Sequence, residues 1–358
     1  MSFIAKLGVV SVAVGVGGLA TLTQVQGAIG MPALAGLTSL LATGPSVPGK
    51  SGPIDQTYTV RRVRLDDLVA QVEIVTVPQT GPVRVQASGT PETMKELHVR
   101  TVGDELVIRL DSDAEEAWFP WNLFNMLSRD RKAQDLRVRI TAPIGTPYDI
   151  DGMVGQINAG DIDAPLRLEG HALQARFGRV LRAKVSIAGS GRIELGAIKE
   201  TLGLEVAGSG NFSAASAQSA EVEIAGGGDV VIGPLAGPLN AEVAGSGDIR
   251  VAQVNGPIEI EIAGSGSVLI DGGTAPAFSV VIAGSGDVTF KGHAVNPSVE
   301  IAGSGNVTVG SYSGSLNQEV MGSGEFKTLN QGAPQPPPQP APPPAAAPAP
   351  PATPAKRF

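Results

Sequence analysis

One four-residue phrase recurs eight times between residues 188 and 324, and it constrains the fold more than any other feature of the chain. The phrase is Ala-Gly-Ser-Gly, with small variations in the third and the last copy. Successive copies begin 19, 18, 19, 19, 20, 19 and 19 residues apart. A fixed period near 20 residues indicates a repeat architecture, in which each unit packs on its neighbour. The copies begin at Ala188, Ala207, Ala225, Ala244, Ala263, Ala283, Ala302 and Met321.

Aliphatic residues alternate with polar ones on both sides of each phrase. Val or Ile precedes every copy, and further apolar residues follow the copy at every second position. This period of two is typical of half-buried strands, and a glycine pair in every unit disfavours helices. Strands that stack unit on unit at about 4.8 Å form one continuous parallel sheet around an aliphatic interior. The sequence therefore predicts an all-β fold, a parallel β-helix or solenoid whose coils turn at Gly-Ser-Gly corners, where glycine accepts a positive φ.

Composition excludes several functions. The chain has 358 residues, a formal net charge of −8 and no cysteine. It therefore has no disulfide framework, no thiol nucleophile, no thiolate metal site and no lipid-anchor cysteine. No basic stripe is present to neutralise phosphates, which disfavours a nucleic-acid partner.

The chain divides into five parts. Residues 1–27 read as a signal peptide or an uncleaved N-terminal membrane anchor, with residues 4–22 as the membrane tether, and either choice predicts an exported protein of the periplasm, cell envelope or exterior. Residues 28–54 read as a linker. Residues 55–150 form a β-rich N-terminal part, which caps the solenoid or forms irregular early coils. Residues 151–330 form the solenoid. Residues 331–358 hold 12 prolines and predict a disordered tail of polyproline II character.

An aromatic insert at residues 113–132 interrupts the β pattern of the N-terminal part. It holds both tryptophans of the chain. One interpretation is an exposed patch for a protein partner, a glycan or a membrane surface. The other, which we favour, is a hydrophobic plug over the first coil, because large aromatic side chains are more often buried. The candidate residues are Trp118, Phe119, Trp121 and Phe124.

Catalytic patterns are missing from the sequence. His98, His171 and His293 lie far apart, with no acidic partner at metal-ligand spacing, and we expect each to be a surface residue. Eight near-identical glycine corners do not resemble a single nucleophile elbow. A glycan-processing β-helix requires carboxylates that converge with basic or aromatic groups on one face, and this alternative remains open.

Acidic residues recur at two positions of the repeat. One column holds Glu205, Glu223, Glu242 and Glu261, two residues before the phrase, and the other holds Asp229 and Asp248 directly after it. If these residues stack, their like charges repel unless screened or paired. The functional hypothesis is a divalent cation, such as Ca²⁺, along this ladder or at the corners. The simpler interpretation is a solvated face, with each corner Asp capping backbone N–H groups of its turn.

The repeated Val/Ile-Ala-Gly-Ser-Gly-Asp/Asn-Val/Ile unit, with the β-rich segment that ends Arg-Ile-Thr-Ala-Pro143, resembles a bacterial family, the auto-transporter adhesin head GIN domain, over roughly residues 55–326. The resemblance implies a parallel β-helix in secreted or envelope-associated proteins and brings no catalytic residues. We expect a non-enzymatic rod for adhesion or scaffolding, with an envelope protein or glycan as its partner and no established cofactor. The alternatives are a glycan-binding or glycan-processing β-helix and a self-assembling envelope filament, which requires an uncovered terminal coil.

Overall fold

The structure is a computed structural model that describes residues 52–110 and 135–329. The predicted targeting segment, most of the linker, the aromatic insert and the proline-rich tail lie outside these ranges. Among the described residues, no helix is long and apolar enough to cross a membrane.

The N-terminal part combines early coils with antiparallel strands. Alternating burial along its strands, as in Val69–Val77, follows the alternation of apolar residues in the sequence. The elements are β1 (Ile54–Tyr58), β2 (Arg62–Asp66), β3 (Val69–Val77), β4 (Val83–Ser88), α1 (Pro91–Glu96), β5 (Leu97–Val102), β6 (Glu105–Leu110), β7 (Arg137–Pro143), β8 (Tyr148–Ala159) and β9 (Leu166–Phe177). The alternation of apolar residues predicts strands at 71–77, 83–87, 97–102, 105–110 and 136–141, which correspond to β3 to β7. It predicts neither β1, β2 nor helix α1.

The predicted parallel β-solenoid is confirmed. Its leading sheet consists of the strands that precede each Gly-Ser-Gly corner, and its trailing sheet consists of those that follow the corner. The leading strands are β10 (Ala183–Gly189), β12 (Thr201–Gly208), β14 (Ser219–Gly226), β16 (Leu239–Gly245), β18 (Ile258–Gly264), β21 (Phe278–Gly284), β23 (Ser298–Gly303) and β25 (Asn317–Gly322). The trailing strands are β11 (Arg192–Ala197), β13 (Asn211–Ser216), β15 (Asp229–Leu235), β17 (Asp248–Asn255), β19 (Ser267–Ile270), β22 (Asp287–Val295), β24 (Asn306–Ser313) and β26 (Glu325–Thr328).

Each coil has a short third side that the sequence did not predict. It follows the trailing strand and pairs only briefly with the neighbouring coils, through bridges such as Val180 to Ile198 and Ala217 to Leu235 and through β20 (Gly273–Ala275). The four bridge residues and the last residue of β20 are buried, so the third side closes the core between the two sheets.

The two glycines of each corner are required for different reasons. The first has a positive φ in every coil, for example +124° at Gly208, where an added Cβ would also lie 2.7 Å from the carbonyl oxygen of Gly189. The second has no positive φ, but at Gly247 a Cβ would lie 2.7 Å from the carbonyl oxygen of Gly228. Real Cβ atoms do not approach this closely, so the coils stack at sheet spacing only with both glycines.

The early coils continue the same stacking toward the N-terminus. Strands β2 and β3 pair in parallel with the first and second halves of β8, and β6 and β7 pair in parallel with β2 and β3. Antiparallel pairing then ends the stack, because β5 runs against β6, β4 against β7 and β1 against β4. Helix α1 joins β4 to β5 and buries Met94 in the common hydrophobic core. This part of the molecule therefore supplies both early coils and a terminal layer.

Candidate functional site: an acidic sheet

The predicted glutamate column is a true ladder. Glu205, Glu223, Glu242 and Glu261 are directly paired Cα partners on four consecutive leading strands. Strand spacing places successive members about 4.8 Å apart. Their neighbours along each strand point into the aliphatic core, so the four carboxylates share the outer surface. We call these four residues the glutamate ladder.

The ladder belongs to a larger acidic face, the outer surface of the leading sheet from β12 to β25. Strand β14 and strand β18 each add a second glutamate, Glu221 and Glu259, two residues before the ladder position. Glu300 and Glu319 extend the column over the last two leading strands, after Val281 interrupts it. These seven strands contain eight glutamates and neither lysine nor arginine. The face spans roughly 30 Å along the solenoid at ordinary strand spacing.

Charge repulsion and burial act together at Glu223. Its pKa is raised above the ordinary value, first by partial burial and then by the carboxylates of Glu205, Glu242 and Glu221. Lys184 on β10, two leading strands before Glu223, opposes this shift, and its ammonium group lies 3.6 Å from the carboxylate of Glu205. Within the described chain, this is the one ion pair that any of the eight glutamates makes. Among the described residues, almost no positive charge therefore neutralises the acidic face.

The leading sheet changes character toward the N-terminus. There Arg167 lies between acidic neighbours, 2.7 Å from Glu169 and 3.7 Å from Asp149, so its charge is compensated. An open groove of about 840 Å³ runs along the boundary between this mixed region and the acidic face. Gly203 widens the groove between Lys184 and Glu221, since no atom lies within 4 Å of the position a Cβ would occupy.

The corner aspartates on the trailing sheet have a structural role. Asp248 Oδ1 accepts a hydrogen bond from the backbone N–H of Ser267 on the next coil, at 3.0 Å, and another from the Ser267 hydroxyl. Asp287 accepts two hydrogen bonds from Asn306 in the same way, both at 2.9 Å. Asp229 makes no such bond within the described chain. The prediction that each corner Asp caps its own turn is therefore wrong for both residues: Asp248 accepts from the backbone of the following coil instead, and Asp229 caps no described N–H group.

No group of three or more His, Asp or Glu residues within 52–110 and 135–329 is arranged to hold a metal ion. The ladder offers one carboxylate per strand on a flat surface, so an ion above it meets only adjacent members. Any cation there would be held loosely by neighbouring carboxylates rather than enclosed.

The remaining predicted site residues lie apart from the acidic face. Trp118, Phe119, Trp121 and Phe124 fall outside the described residues. His293 is half buried rather than a free surface residue, and its two ring nitrogens lie 2.9 Å and 3.0 Å from the hydroxyls of Ser311 and Ser313. No described carboxylate hydrogen-bonds to this imidazole, so the cluster lacks the group that orients a catalytic histidine.

Sequence reasoning missed the groove and the second glutamate column. Glu221 and Glu259 occupy the outward position before the ladder in their strands, so the period of two contained the signal for this column. The groove had no such signal, because it depends on how neighbouring coils pack around the free space at Gly203.

The chain matches a family model, described as "Putative auto-transporter adhesin, head GIN domain", over residues 72–252, 179–274 and 235–332. No curated protein matches it. Similar solved structures include a putative adhesin from Bacteroides fragilis, at 14% identity and TM-score 0.32, covering 79% of this chain and 100% of that one. Another is a putative adhesin from Parabacteroides merdae, at 12% identity and TM-score 0.35, covering 79% and 99%. A third is a putative lipid binding protein from Parabacteroides distasonis, at 16% identity and TM-score 0.32, covering 79% and 99%.

These TM-scores are too low to support an argument from the neighbours. The overlapping family matches, however, extend from residue 72 to residue 332, which is well over half of the 358 residues. They include the early coils from residue 72 onward, the acidic face and every Gly-Ser-Gly corner. The chain belongs to the auto-transporter adhesin head GIN domain family.

Proposed function

We propose that this chain is an exported, non-enzymatic interaction protein of the cell envelope, and that its acidic face binds a cationic partner. The observation that carries the proposal is the excess negative charge of that face, with eight glutamates and no lysine or arginine on seven strands and one described ion pair, from Glu205 to Lys184. Like charges on neighbouring strands cost stability, so a surface that serves only solubility has no reason to align them.

The trailing sheet strengthens this proposal by contrast. It is built on the same repeat, yet its strands from β13 to β26 mix Asp229, Asp248, Asp287 and Glu325 with one arginine and two lysines. The repeat itself therefore does not require an acidic surface. A long, flat surface of one charge speeds encounter with an oppositely charged partner and selects against acidic ones.

The binding test uses immobilised poly-lysine as a defined cationic probe and the full chain as analyte. The test variant changes the glutamate ladder to glutamine at all four positions. A matched control neutralises four exposed carboxylates outside the face, so that both variants lose four negative charges. These residues are Glu92, Asp104, Asp135 and Asp229. We expect the ladder variant to bind about tenfold more weakly, from several exposed charge contacts of a few tenths of a kcal/mol each, and the control to bind much as the unaltered chain. Equal weakening of both variants would reduce the effect to net charge and contradict a binding face.

Export is tested separately. Residues 1–54 fused to a phosphatase that is active only outside the cytoplasm should give phosphatase activity in a bacterial host. An inactive fusion that is produced in normal amounts would contradict the proposed localisation, and it would leave the binding test unaffected.

Divalent cations are a second candidate ligand for the same face, and the exact register of the glutamate ladder favours them. Two neighbouring carboxylates at strand spacing attract a cation, although they do not enclose it. Calcium titration by calorimetry should then give weak heats with the unaltered chain and none with the ladder variant. Equal heats for both proteins would place calcium elsewhere. The glycan-binding alternative depends on Trp118 and Trp121 and remains a prediction.

A further inference from the structure

The last two strands at the C-terminal end of the solenoid each pair with a described strand along one edge only. Strand β25 pairs with β23 and β26 pairs with β24, and no other described strand pairs with either of them. Among the described residues, no strand pairs with the backbone N–H and C=O groups of their outer edges, so these edges form a template for an additional strand.

Side chains at this end are also less covered than elsewhere in the core. Val320 and Phe326 hold inward positions that are buried in the preceding coils, yet both are only partly buried. Met321, where the seven earlier phrases have alanine, is 53% exposed, and Leu329 is 57% exposed. Gln318 replaces the aliphatic residue of earlier coils at an inward position and adds a polar group. The end is therefore a mixed apolar and polar surface with open edges.

At the opposite end, strands β1 and β5 also have one edge that no described strand pairs, and Val102 on β5 is 48% exposed, but the other large apolar side chains described there are covered. Helix α1 and strand β5 lie there, and Met94 and Leu97 are 1% and 0% exposed. An apolar end gains little by packing on a covered one, so head-to-tail growth into a filament is disfavoured. Two open ends, by contrast, bury each other's apolar side chains.

The sequence of β26 is complementary to itself. Glu325 and Lys327 both point outward on either side of Phe326, and within one chain they form an ion pair at 2.8 Å. In an antiparallel pair, residues directly opposite each other share one side of the sheet. A two-fold register centred on Phe326 therefore places Glu325 opposite Lys327 of the second copy, twice per pair, with the two Phe326 rings toward the core.

We propose that two copies of this chain associate through their C-terminal ends, with β26 pairing antiparallel to β26 of the second copy. The dimer is closed by its symmetry and does not propagate. This contact is separate from the binding proposed for the acidic face, because it uses the end of the solenoid rather than the side. The two N-terminal ends lie at opposite extremes of the pair.

Sedimentation equilibrium of the full chain over a range of concentrations tests the proposal. We expect a monomer–dimer equilibrium that Lys327→Glu weakens about tenfold, since two attractive cross-strand charge pairs become repulsive. Glu325→Lys should weaken it by a similar factor. Lys95→Glu, the same charge change on α1 at the opposite end, is the control and should leave the dissociation constant unchanged.

Mixing the two charge variants separates the contact between copies from the ion pair within one chain. Each variant has lost its internal Glu325–Lys327 pair, and each alone should remain largely monomeric. In a mixed dimer, however, every 325 and 327 position meets an opposite charge. We expect the equimolar mixture to dimerise about as tightly as the unaltered chain.

Three results would overturn the proposal. The first is that the full chain is a monomer at every concentration. If such a monomer dimerised only after deletion of residues 330–358, the tail would occupy the end in place of a second copy. The second is a dimer that Lys327→Glu leaves unchanged or that mixing does not restore. The third is growth beyond two copies, which would indicate head-to-tail stacking.

Discussion

The leading and trailing sheets are built on one repeat, but the carboxylates on their outer surfaces have different surroundings. On the trailing sheet, the carboxylates of Asp248 and Asp287 accept hydrogen bonds from the backbone of the next coil. On the leading sheet, the corresponding stack of glutamates faces solvent with one ion pair, to Lys184, in the described chain. One surface stabilises the stack and the other repels itself. A repeat fold can therefore carry the proposed binding surface on one side while the other side and the core stabilise the stack.

The largest expected effect concerns the corner that both sheets share. Gly208→Ala places a Cβ at a positive φ and 2.7 Å from the carbonyl oxygen of Gly189. We expect a loss of about 3 kcal/mol in the free energy of unfolding, from backbone strain and a clash that the stacked coils cannot relieve. Denaturant unfolding measures it.

Gly203→Ala is the matched control in the same strand. No atom lies within 4 Å of its Cβ position and its φ is not positive, so we expect a change within about 0.5 kcal/mol of zero. Equal losses of unfolding free energy in the two variants would show that the corner does not require glycine more than the middle of the strand does.

Asp248→Ala tests the trailing sheet. It removes the acceptor for the Ser267 backbone N–H and hydroxyl, and we expect a loss of about 1 kcal/mol. Asp229→Ala, one coil earlier in the same column, removes no side-chain hydrogen bond within the described chain and should cost much less. Thermal unfolding of the pair gives the comparison, and equal destabilisation would contradict the capping role.

Glu223→Gln tests the leading sheet and should have the opposite sign. It removes a charge that partial burial and the carboxylates of Glu205, Glu242 and Glu221 disfavour. Because solvent screens this largely exposed group, we expect a gain of no more than about 0.5 kcal/mol at pH 7. The matched change on the trailing sheet, Asp248→Asn, should give no gain.

The gain from Glu223→Gln should depend on pH. Because the pKa of Glu223 is raised in the folded state above its ordinary value of 4.5, the folded protein takes up the proton more readily than the unfolded chain. Acidification from neutral pH therefore stabilises the unaltered protein at this site, and the advantage of the variant should shrink as Glu223 becomes protonated. Asp271 behaves in the opposite way, since hydrogen bonds from Lys291 and Arg250 lower its pKa and their stabilisation is lost at acid pH. An advantage that grows on acidification would contradict the assignment.

Much of this arrangement could be predicted because the repeat fixes which residues stack. The Gly-Ser-Gly period placed Glu205 beside Glu223 and Asp229 beside Asp248, and the register agrees. The N-terminal layer was harder to predict, since β1 and β2 lie in irregular sequence and α1 has only six residues. The partner of a corner Asp was also missed. Whether the Asp side chain bonds its own coil or the next depends on the distance between the coils, and the aligned repeat sequences do not give this distance.

The contrast between the two sheets implies that the glutamate ladder lowers the free energy of unfolding. Its sharpest test is the free energy of unfolding of the variant with all four ladder glutamates changed to glutamine, at pH 7 and low salt. We expect a gain of about 1–2 kcal/mol that diminishes at high salt, with a change near zero for the control that neutralises Glu92, Asp104, Asp135 and Asp229. A ladder variant less stable than the unaltered chain would show that the glutamates stabilise the fold, and it would contradict a ladder kept for binding.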